Sequence, residues 1–495
     1  MSPSLIDALR LGFSVALTPV NLTLALAGAL LGTLVGALPG IGSTSAVALL
    51  LPLTFNMDPS GAIILLCGIY YGSMYGGTIT SVLINTPGEP ATVVTTLDGY
   101  QLARQGRAGA ALGIATLASF VAGTAGTAAL MMLAPVLARG ALSFGPPEYF
   151  ALTVLGLTML AGLSTGSALK ATLSALVGLI VATVGLDVTT GQPRLTFGSV
   201  DLLGGIDFLP VSIALFGFTE MLVSAAAPKQ TAIAAQHLTV REVFPTWADC
   251  RQSRFAIIRG TVVGFCVGTL PGAGATLASF ISYALEKRLS RRPEHFGHGA
   301  IEGVAAPEAA NNAASAGALV PLLTLGLPGG TTTAVLVGAL IMWGLRPGPL
   351  LFQENPQFAW GLIASMYIGN LMLLVINILL IPVFVRALRI PFSVLAPSVL
   401  VLCLVGAFAA NNRMWDVGVM LVFSAVGLAM RRLGYSPVAF VSALVLGPLA
   451  ETAFRQSLQI SQGSFGIFTS RPIAATLLGL AAASLLVPAL RGWRG

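Results

Sequence analysis

Two short motifs combine proline, glycine and hydroxyl residues within apolar sequence. LPGIGST begins at Leu38 and LPGAGAT begins at Leu270. Proline and glycine stop a helix, and the hydroxyls of Ser43, Thr44 and Thr276 are suited to cap a new one. The free N–H groups and the positive dipole end of such a helix attract anions. The motifs therefore favour contact with a substrate or an ion, with a purely structural helix break as the alternative.

The two motifs lie within a longer internal match. GALLGTLVGALPGIGSTSA, from Gly28, is identical at ten of nineteen positions to GTVVGFCVGTLPGAGATLA, from Gly260, at a constant offset of 232. A weaker match at an offset of 241 aligns residues 85–92 with 326–333. A glycine at every fourth position before each break favours close packing of helices. The sequence therefore predicts two internal repeats, each with two Pro-Gly breaks.

Two acidic residues lie beside proline and small polar residues. Glu89 belongs to TPGEP, and Glu308 belongs to APEAANNAAS. An acid within a membrane is costly unless it meets a cation or a hydrogen-bond donor. Because carboxylate and amide oxygens suit hard cations, we expect a sodium or proton site, with a loop acid at a helix N-terminus as the alternative. Glu220, Arg346 and Glu451 are interpreted as interfacial or structural pairs.

The other reactive residue types exclude several classes of protein. The three lysines do not follow glycine, so there is no GK[ST] phosphate-binding loop. The three histidines lie in polar segments, without the spacing of a metal site or the apolar setting of a Ser-His-acid triad. No cofactor is predicted, and the chain is expected to be neither an ATPase nor another enzyme.

The composition is that of a membrane protein. Of 495 residues, 55% are hydrophobic and only 9% are charged, whereas a soluble chain carries roughly 25% charged residues. Several apolar runs are shorter than the ~20 residues that cross a bilayer, which is typical of discontinuous helices in transporters. The predicted fold class is an all-α polytopic membrane protein with two internal repeats.

The charges predict the organisation of the chain across the membrane. Basic loops such as 287–292 are expected in the cytoplasm, and the acidic stretch 186–207 outside. This distribution argues against a nucleic-acid partner for a chain of net charge +7. The predicted parts are an amphipathic N-terminal helix (1–20), a first transmembrane repeat (21–226), a polar cytoplasmic linker (227–256), a second repeat (257–450) and a C-terminal segment with the last transmembrane helix (451–495).

Residues 260–285 are expected to form a re-entrant hairpin. Arg259 precedes them and Lys287 follows, so both ends should face the cytoplasm. These 26 residues are too few for two spans of ~20 residues each.

Several long motifs resemble one known family. GALPGIGSTSAVALLLPLTF, TSVLINTPGEPATVVTTLDGYQLARQGRAGAAL, GTLPGAGATLASFISYALEKRLS and IEGVAAPEAANNAASAGALVPLLTLGLPGGTT are similar to the large membrane subunit of the tripartite tricarboxylate transporter family. The resemblance extends from about residue 20 to 450 and implies a multi-pass permease of about twelve helices in the bacterial inner membrane. It also implies a small four-helix membrane subunit, a periplasmic solute-binding protein, and uptake of citrate or related carboxylates driven by a cation, usually sodium.

These expectations assign two groups of site residues. The substrate-binding group is Gly40, Gly42, Ser43, Thr44, Thr86, Gly88, Thr92, Gly272, Gly274, Thr276, Gly329 and Thr331. The group for the coupling sodium or proton is Asn85, Glu308, Asn311 and Asn312. A stand-alone carboxylate/cation carrier and an anion channel remain alternatives, and an intramembrane enzyme is a more distant one.

Overall fold

The computed structural model is almost entirely helical. It describes residues 5–38, 41–162, 167–187, 190–226, 239–387 and 392–492. The first twelve helices are α1 (Leu5–Ala16), α2 (Pro19–Gly36), α3 (Gly42–Leu50), α4 (Pro59–Ile84), α5 (Thr95–Arg104), α6 (Ala108–Ala141), α7 (Pro146–Gly162), α8 (Ala168–Ala182), α9 (Phe208–Ser212), α10 (Thr219–Ala226), α11 (Val240–Val243) and α12 (Trp247–Gly268).

The remaining helices follow in the second half of the chain. They are α13 (Gly274–Leu289), α14 (Glu302–Leu325), α15 (Thr331–Met342), α16 (Leu351–Glu354), α17 (Pro356–Leu379), α18 (Ile381–Ala387), α19 (Phe392–Asn411), α20 (Met414–Leu433), α21 (Pro437–Ile460), α22 (Ile467–Ser470) and α23 (Pro472–Gly492). A π-helical turn, Ile213–Phe218, joins α9 to α10. Two strands, β1 (Gly185–Leu186) and β2 (Pro193–Arg194), pair antiparallel.

In the described part of the chain, eight helices are long and apolar enough to cross a membrane. The described part also contains four shorter apolar helical segments, Gly42–Thr54, Ala168–Ala182, Thr331–Met342 and Pro472–Leu485, the first of which is α3 with the 3-10 turn that follows it. These helices support the fold class of an all-α multi-pass membrane protein. The short strand pair β1–β2 is an exception within the described residues. The count of about twelve transmembrane helices stays a prediction.

Glycine stripes bring helices into direct backbone contact in both halves. Cβ atoms placed on Gly28, Gly32 and Gly36 of α2 would lie 2.5, 2.5 and 2.2 Å from backbone carbonyl oxygens of α4. Cβ atoms on Gly260, Gly264 and Gly268 of α12 would lie 2.4, 2.3 and 2.4 Å from carbonyl oxygens of α14. The glycines therefore permit close helix packing, as predicted from their spacing.

Helices α4 and α14 lie side by side at the centre and run in opposite directions. Thr78 of α4 donates to Glu308 of α14 at 2.7 Å. One turn further along α4, Val82 packs beside Gly99, and Val304, one turn earlier on α14, packs beside the same glycine. Both helices are buried over most of their length.

Helices α12 and α13 form a helical hairpin. They are joined by residues 269–273, and Arg259 pairs with Glu286 at 2.6 Å towards the other end of the hairpin. Helix α12 starts at Trp247, capped by Thr246, and so begins within the segment predicted as a linker. Most of the rest of that segment, residues 227–238, lies outside the described residues. The depth to which the hairpin enters the bilayer stays a prediction.

The N-terminal helix α1 packs against α17. Its buried residues are Ala8, Gly12 and Ala16, and a Cβ on Gly12 would lie 2.4 Å from the carbonyl oxygen of Trp360. Leu5 and Ile6 remain exposed on the other side of the helix.

Candidate functional site

The start of α3 meets the start of α15. Ser43 Oγ lies 3.0 Å from Thr332 Oγ1, and Thr44 Oγ1 donates to Thr331 Oγ1 at 2.8 Å. Gly42 begins α3 with a φ of +63°, a conformation that glycine adopts without steric cost. Two helix N-termini from different halves of the chain thus face each other across four hydroxyl groups. Gly40, also predicted for this site, lies outside the described residues.

The start of α13 lies beside the break that follows α14. Gly274 N–H donates to the Gly329 carbonyl at 3.2 Å, and Gly274 has a φ of +65°. A Cβ on Gly330 would lie 3.3 Å from the Cα of Gly274. Gly272 and Thr276, on either side of this helix start, are partly exposed. The two breaks of the second half therefore lie against each other.

The TPGEP segment folds back along α4. A Cβ on Gly88 would lie 2.0 Å from the Gly36 carbonyl oxygen and 2.7 Å from the Cα of Gly77, so only glycine fits there. Thr92 is fully buried, and its hydroxyl accepts from Ser81 at 2.9 Å. Thr86 is half-buried and donates to the Ile84 carbonyl at 3.2 Å. Of the predicted substrate residues, Gly88 and Thr92 therefore shape this break. Thr44 and Thr331, at the starts of α3 and α15, are half-buried and exposed, respectively.

The side chain of Glu89 is buried against the start of α3. The backbone N–H of Ser43 donates to its Oε1 atom, and its own backbone N–H donates to Thr92 Oγ1 at 3.3 Å. Only 4% of Glu89 is exposed. A carboxylate is favourable at this position because it satisfies a free N–H group and interacts with the positive end of the helix dipole.

Glu308 is the centre of a second buried polar cluster. Its carboxylate accepts from Thr95 Oγ1 at 2.5 Å, from Thr78 Oγ1 at 2.7 Å and from Asn311 Nδ2 at 3.1 Å. Asn312 Nδ2 donates to Asn311 Oδ1 at 2.6 Å and to Ser119 Oγ at 2.7 Å. Three of the four predicted cation residues are therefore together. The fourth, Asn85, is exposed at the end of α4 in a left-handed conformation.

Several members of this cluster were not predicted. Thr78, Thr95 and Ser119 lie on α4, α5 and α6, about 190 to 230 residues from their partners on α14. Threonine and serine are common in packed membrane helices, so the residue type alone did not predict which of them would contact Glu308 or Asn312.

The ion pairs between described residues do not include Glu89 or Glu308. The hydrogen-bond donors that surround the two carboxylates are neutral hydroxyl, amide and backbone groups. A buried carboxylate without a basic partner is stabilised by a proton or a bound cation. The centre of the molecule thus combines donors that suit an anion with acids that suit a cation.

Residues 22–442 match the Tripartite tricarboxylate transporter TctA family. The chain belongs to this family. A protein of Agrobacterium vitis described as an uncharacterized 52.8 kDa protein in the TAR-I ttuC' 3' region is 46% identical over 496 residues, covering 99% of this chain and 98% of that protein. A second A. vitis protein, in the TAR-II ttuC' 3' region, is 44% identical over 234 residues, covering 47% of this chain and 97% of that protein. No solved structure matches the chain.

Membership of the TctA family identifies the general role of the chain. It is the large membrane subunit of a tripartite tricarboxylate transporter, a system that also contains a periplasmic binding protein and a small membrane subunit. A transporter family agrees with the prediction that the chain is not an enzyme. The matched region extends from α2 into α21 and contains both pairs of breaks and the Glu308 cluster.

Glu220 and Glu451 of this TctA-family protein form ion pairs, as predicted. Arg346, which was predicted with them, is not in the ion pairs between described residues. Glu220 pairs with Arg431 at 3.0 Å. Glu451 pairs with Arg194 at 2.6 Å and with Arg455 at 2.7 Å. Arg455 also pairs with Asp187 at 2.7 Å. The Arg194–Glu451 and Arg455–Asp187 pairs join the β1–β2 hairpin to α21. These acids contrast with the two central ones, which have no basic partner among the described residues.

Proposed function

We propose that this protein is the permease subunit of a cation-coupled transporter that imports tricarboxylates or related carboxylate anions. In this proposal a periplasmic binding protein delivers the substrate, a small four-helix membrane subunit completes the complex, and the complex resides in the bacterial inner membrane. The observation that carries the proposal is the meeting of helix N-termini from both halves of the chain at one polar centre.

The anion would bind at these helix starts. Hydroxyls of Ser43, Thr44 and Thr331 lie within hydrogen-bond distance of a neighbouring helix start, and each N-terminus contributes the positive end of its dipole. Broken helices that direct their N-termini at an anionic substrate are a recurrent arrangement in secondary transporters. Gly42, Gly272, Gly274, Gly329 and Thr276 complete the proposed substrate group.

The coupling cation would bind at Glu308. Asn311, Asn312, Thr78 and Thr95 supply amide and hydroxyl oxygens around the carboxylate, which are ligands that a hard cation such as sodium prefers. Asn85 is not part of this proposed group, because it is exposed at the end of α4.

The energetics require such coupling. Moving a trianion inward against about 100 mV costs about 7 kcal/mol, since each charge contributes roughly 2.3 kcal/mol. Co-transport of three or more monovalent cations cancels this cost for citrate, and two or more cancel it for a dicarboxylate. A chain without an ATP-binding loop would draw on the cation gradient for this free energy.

The opposite directions of α4 and α14 support alternating access. These helices occupy corresponding places in the two internal repeats, since each packs on a preceding glycine stripe and ends at a Pro-Gly break. Repeats of opposite orientation around a central site are typical of secondary transporters, in which one repeat moves against the other.

Uptake by proteoliposomes tests the proposal. The protein and its small membrane subunit would be reconstituted, and uptake of labelled citrate, succinate and tartrate measured with and without a sodium gradient, a proton gradient and the purified binding protein. We expect saturable uptake that requires a cation gradient and the binding protein. Uptake without the binding protein would identify a stand-alone carrier. Non-saturable flux without any cation gradient would identify a channel.

A further inference from the structure

The carboxylate of Glu89 fills a defined space at the start of α3. Its Oε1 accepts from the Ser43 N–H, and a Cβ placed on Gly42 would lie 3.6 Å from Oε2. Gly77 provides the room for this side chain, since a Cβ there would lie 3.1 Å from both Cβ and Cγ of Glu89. The first half of the chain thus supplies its own carboxylate to its broken helix.

The second half also starts its broken helix at a glycine with positive φ, +65° at Gly274 against +63° at Gly42, but without a carboxylate. At the offset of 232, Gly42 and Ser43 correspond to Gly274 and Ala275, and at the offset of 241, Glu89 corresponds to Gly330. A Cβ on Gly330 would lie 3.3 Å from the Cα of Gly274, so a side chain there would begin directly beside the start of α13. Within the described part of the chain, a Cβ on Gly274 would meet no atom within 4 Å.

The residues behind the two positions also differ in a complementary way. Gly77, which makes room for Glu89, corresponds to Ala318 at the offset of 241. Ala318 packs with its methyl group against Gly329, where a Cβ would lie 2.7 Å from it. The first half thus has glycine, without a methyl group, beside its acid. The second half has alanine at the corresponding position, where there is no acid.

We propose that Glu89 is a specificity-determining residue that permanently occupies one of two equivalent carboxylate positions. The other position is the space beside Gly274 in which a Cβ would meet no described atom within 4 Å. It then receives a carboxylate of the substrate, with the backbone N–H of Ala275 as the counterpart of the Ser43 donor. This inference rests on the proposed function. In this proposal the two similar helix breaks take one external carboxylate between them.

The first test transfers the internal carboxylate to the second half. Gly330 has an extended backbone, with a φ of −173°, so glutamate can be accommodated there. The variant Gly330→Glu would be made together with Ala318→Gly, and Ala318→Gly alone is the matched control. We expect at least tenfold weaker binding of labelled citrate and succinate to the purified double variant and unchanged binding to the control. Equal affinity of the double variant and the control would overturn the proposal.

The second test empties the first position. Glu89→Ala removes the carboxylate and leaves the Ser43 N–H without it, so we expect a lower thermal midpoint and weaker citrate binding. Millimolar acetate should restore both properties in the variant and have a smaller effect on the wild type, in which only the position beside Gly274 is open to it. A Glu89→Ala variant that does not respond to acetate or formate would contradict the proposal. This test does not depend on whether the double variant at position 330 folds.

The two proposals fail in different ways. If the wild type binds none of the labelled carboxylates, the proposed function is wrong, while acetate stabilisation of Glu89→Ala still reports the first position. If the wild type binds citrate or succinate but neither set of variants behaves as expected, only the assignment of Glu89 is wrong.

Discussion

At the scale of single residues, the centre of the protein consists of hydroxyls, amides and two carboxylates. Ser43 and Thr44 reach residues 287 to 289 positions away, and Glu308 accepts from side chains of α4 and α5 as well as its own helix. None of these groups is a fixed cation. A site of this kind can hold an anion by dipoles and release it again, because it lacks a permanent opposite charge.

Glu308→Gln should abolish the dependence of uptake on the coupling cation. The amide keeps the shape but removes the charge, and loss of a charge-assisted interaction costs about 1.5–3 kcal/mol. We expect cation-driven uptake in proteoliposomes to fall at least about tenfold. Glu302→Gln, on the first turn of the same helix, is the control and should retain uptake. Unchanged cation dependence in Glu308→Gln would exclude Glu308 as the coupling residue.

Thr44→Val and Thr276→Val should each weaken substrate binding. Valine keeps the volume and removes a hydroxyl, and a hydrogen bond contributes about 0.5–1.5 kcal/mol, equivalent to roughly a 2- to 13-fold change in affinity. The measurement is equilibrium binding of labelled citrate. Thr324→Val is the control, because that hydroxyl donates to the Val320 carbonyl within α14. If neither variant changes affinity, the helix starts do not bind the substrate.

At the scale of elements, helix pairs in direct contact hold the broken segments in place. The α2–α4 and α12–α14 pairs approach closely enough that carbonyl oxygens lie where a Cβ would be. Such contacts gain dispersion energy without the hydrophobic effect, which is absent between helices in lipid. Each break then starts from the end of a rigid, glycine-lined helix, so its backbone groups are held at a defined position.

Gly264→Ala should destabilise the protein. Its Cβ would lie 2.3 Å from the Ala310 carbonyl oxygen, and such overpacking typically costs about 1–3 kcal/mol. We expect a lower midpoint in a thermal unfolding assay in detergent. Gly369→Ala on α17 is the matched control, since a Cβ there meets no described atom within 4 Å. It should leave the midpoint unchanged or slightly higher, because alanine favours helix. Equal midpoints for both variants would contradict the packing argument.

At the scale of the whole molecule, two halves that resemble each other in sequence place their central helices in opposite directions. The strand pair β1–β2 is tied to α21 at one end of α8, where Arg194 and Arg455 pair with Asp187 and Glu451. At the other end of α8, Lys170 donates to the Leu433 carbonyl near the basic residues of α20. Acid-rich and basic loops thus lie at opposite ends of the same helices, as the positive-inside rule requires of external and cytoplasmic faces.

Cysteine labelling tests this orientation. Val200→Cys and Glu294→Cys would be introduced separately into a background with the native cysteines replaced by serine, since Cys266 is itself exposed. Both positions are exposed. We expect an impermeant maleimide to label position 200 in intact spheroplasts, and position 294 only after permeabilisation. Labelling of both positions from the same side would contradict the proposed topology.

The sequence by itself determined that this is a helical membrane protein, and it determined the family. Few charges, long apolar runs and glycines four apart depend on composition and local periodicity, which are read without knowledge of partners. The Pro-Gly breaks were likewise visible, because proline and glycine act on the backbone where they stand. The two-residue strand pair left no such local signal, and the start of α12 at Trp247 lay within a stretch whose polarity favoured a linker.

Only the tertiary structure decided which of these local features meet. The hydroxyl of Thr95 and the carboxylate of Glu308 are 213 residues apart in sequence yet 2.5 Å apart in space. Asn85, predicted for the same group as Glu308, is instead exposed at the end of α4. The direction of α14 relative to α4, and the capping of α3 by Glu89, also depend on how the helices pack. Such partnerships are set by the shape and polarity of the whole assembly, because a buried donor or acceptor takes whichever partner the packed helices bring to it.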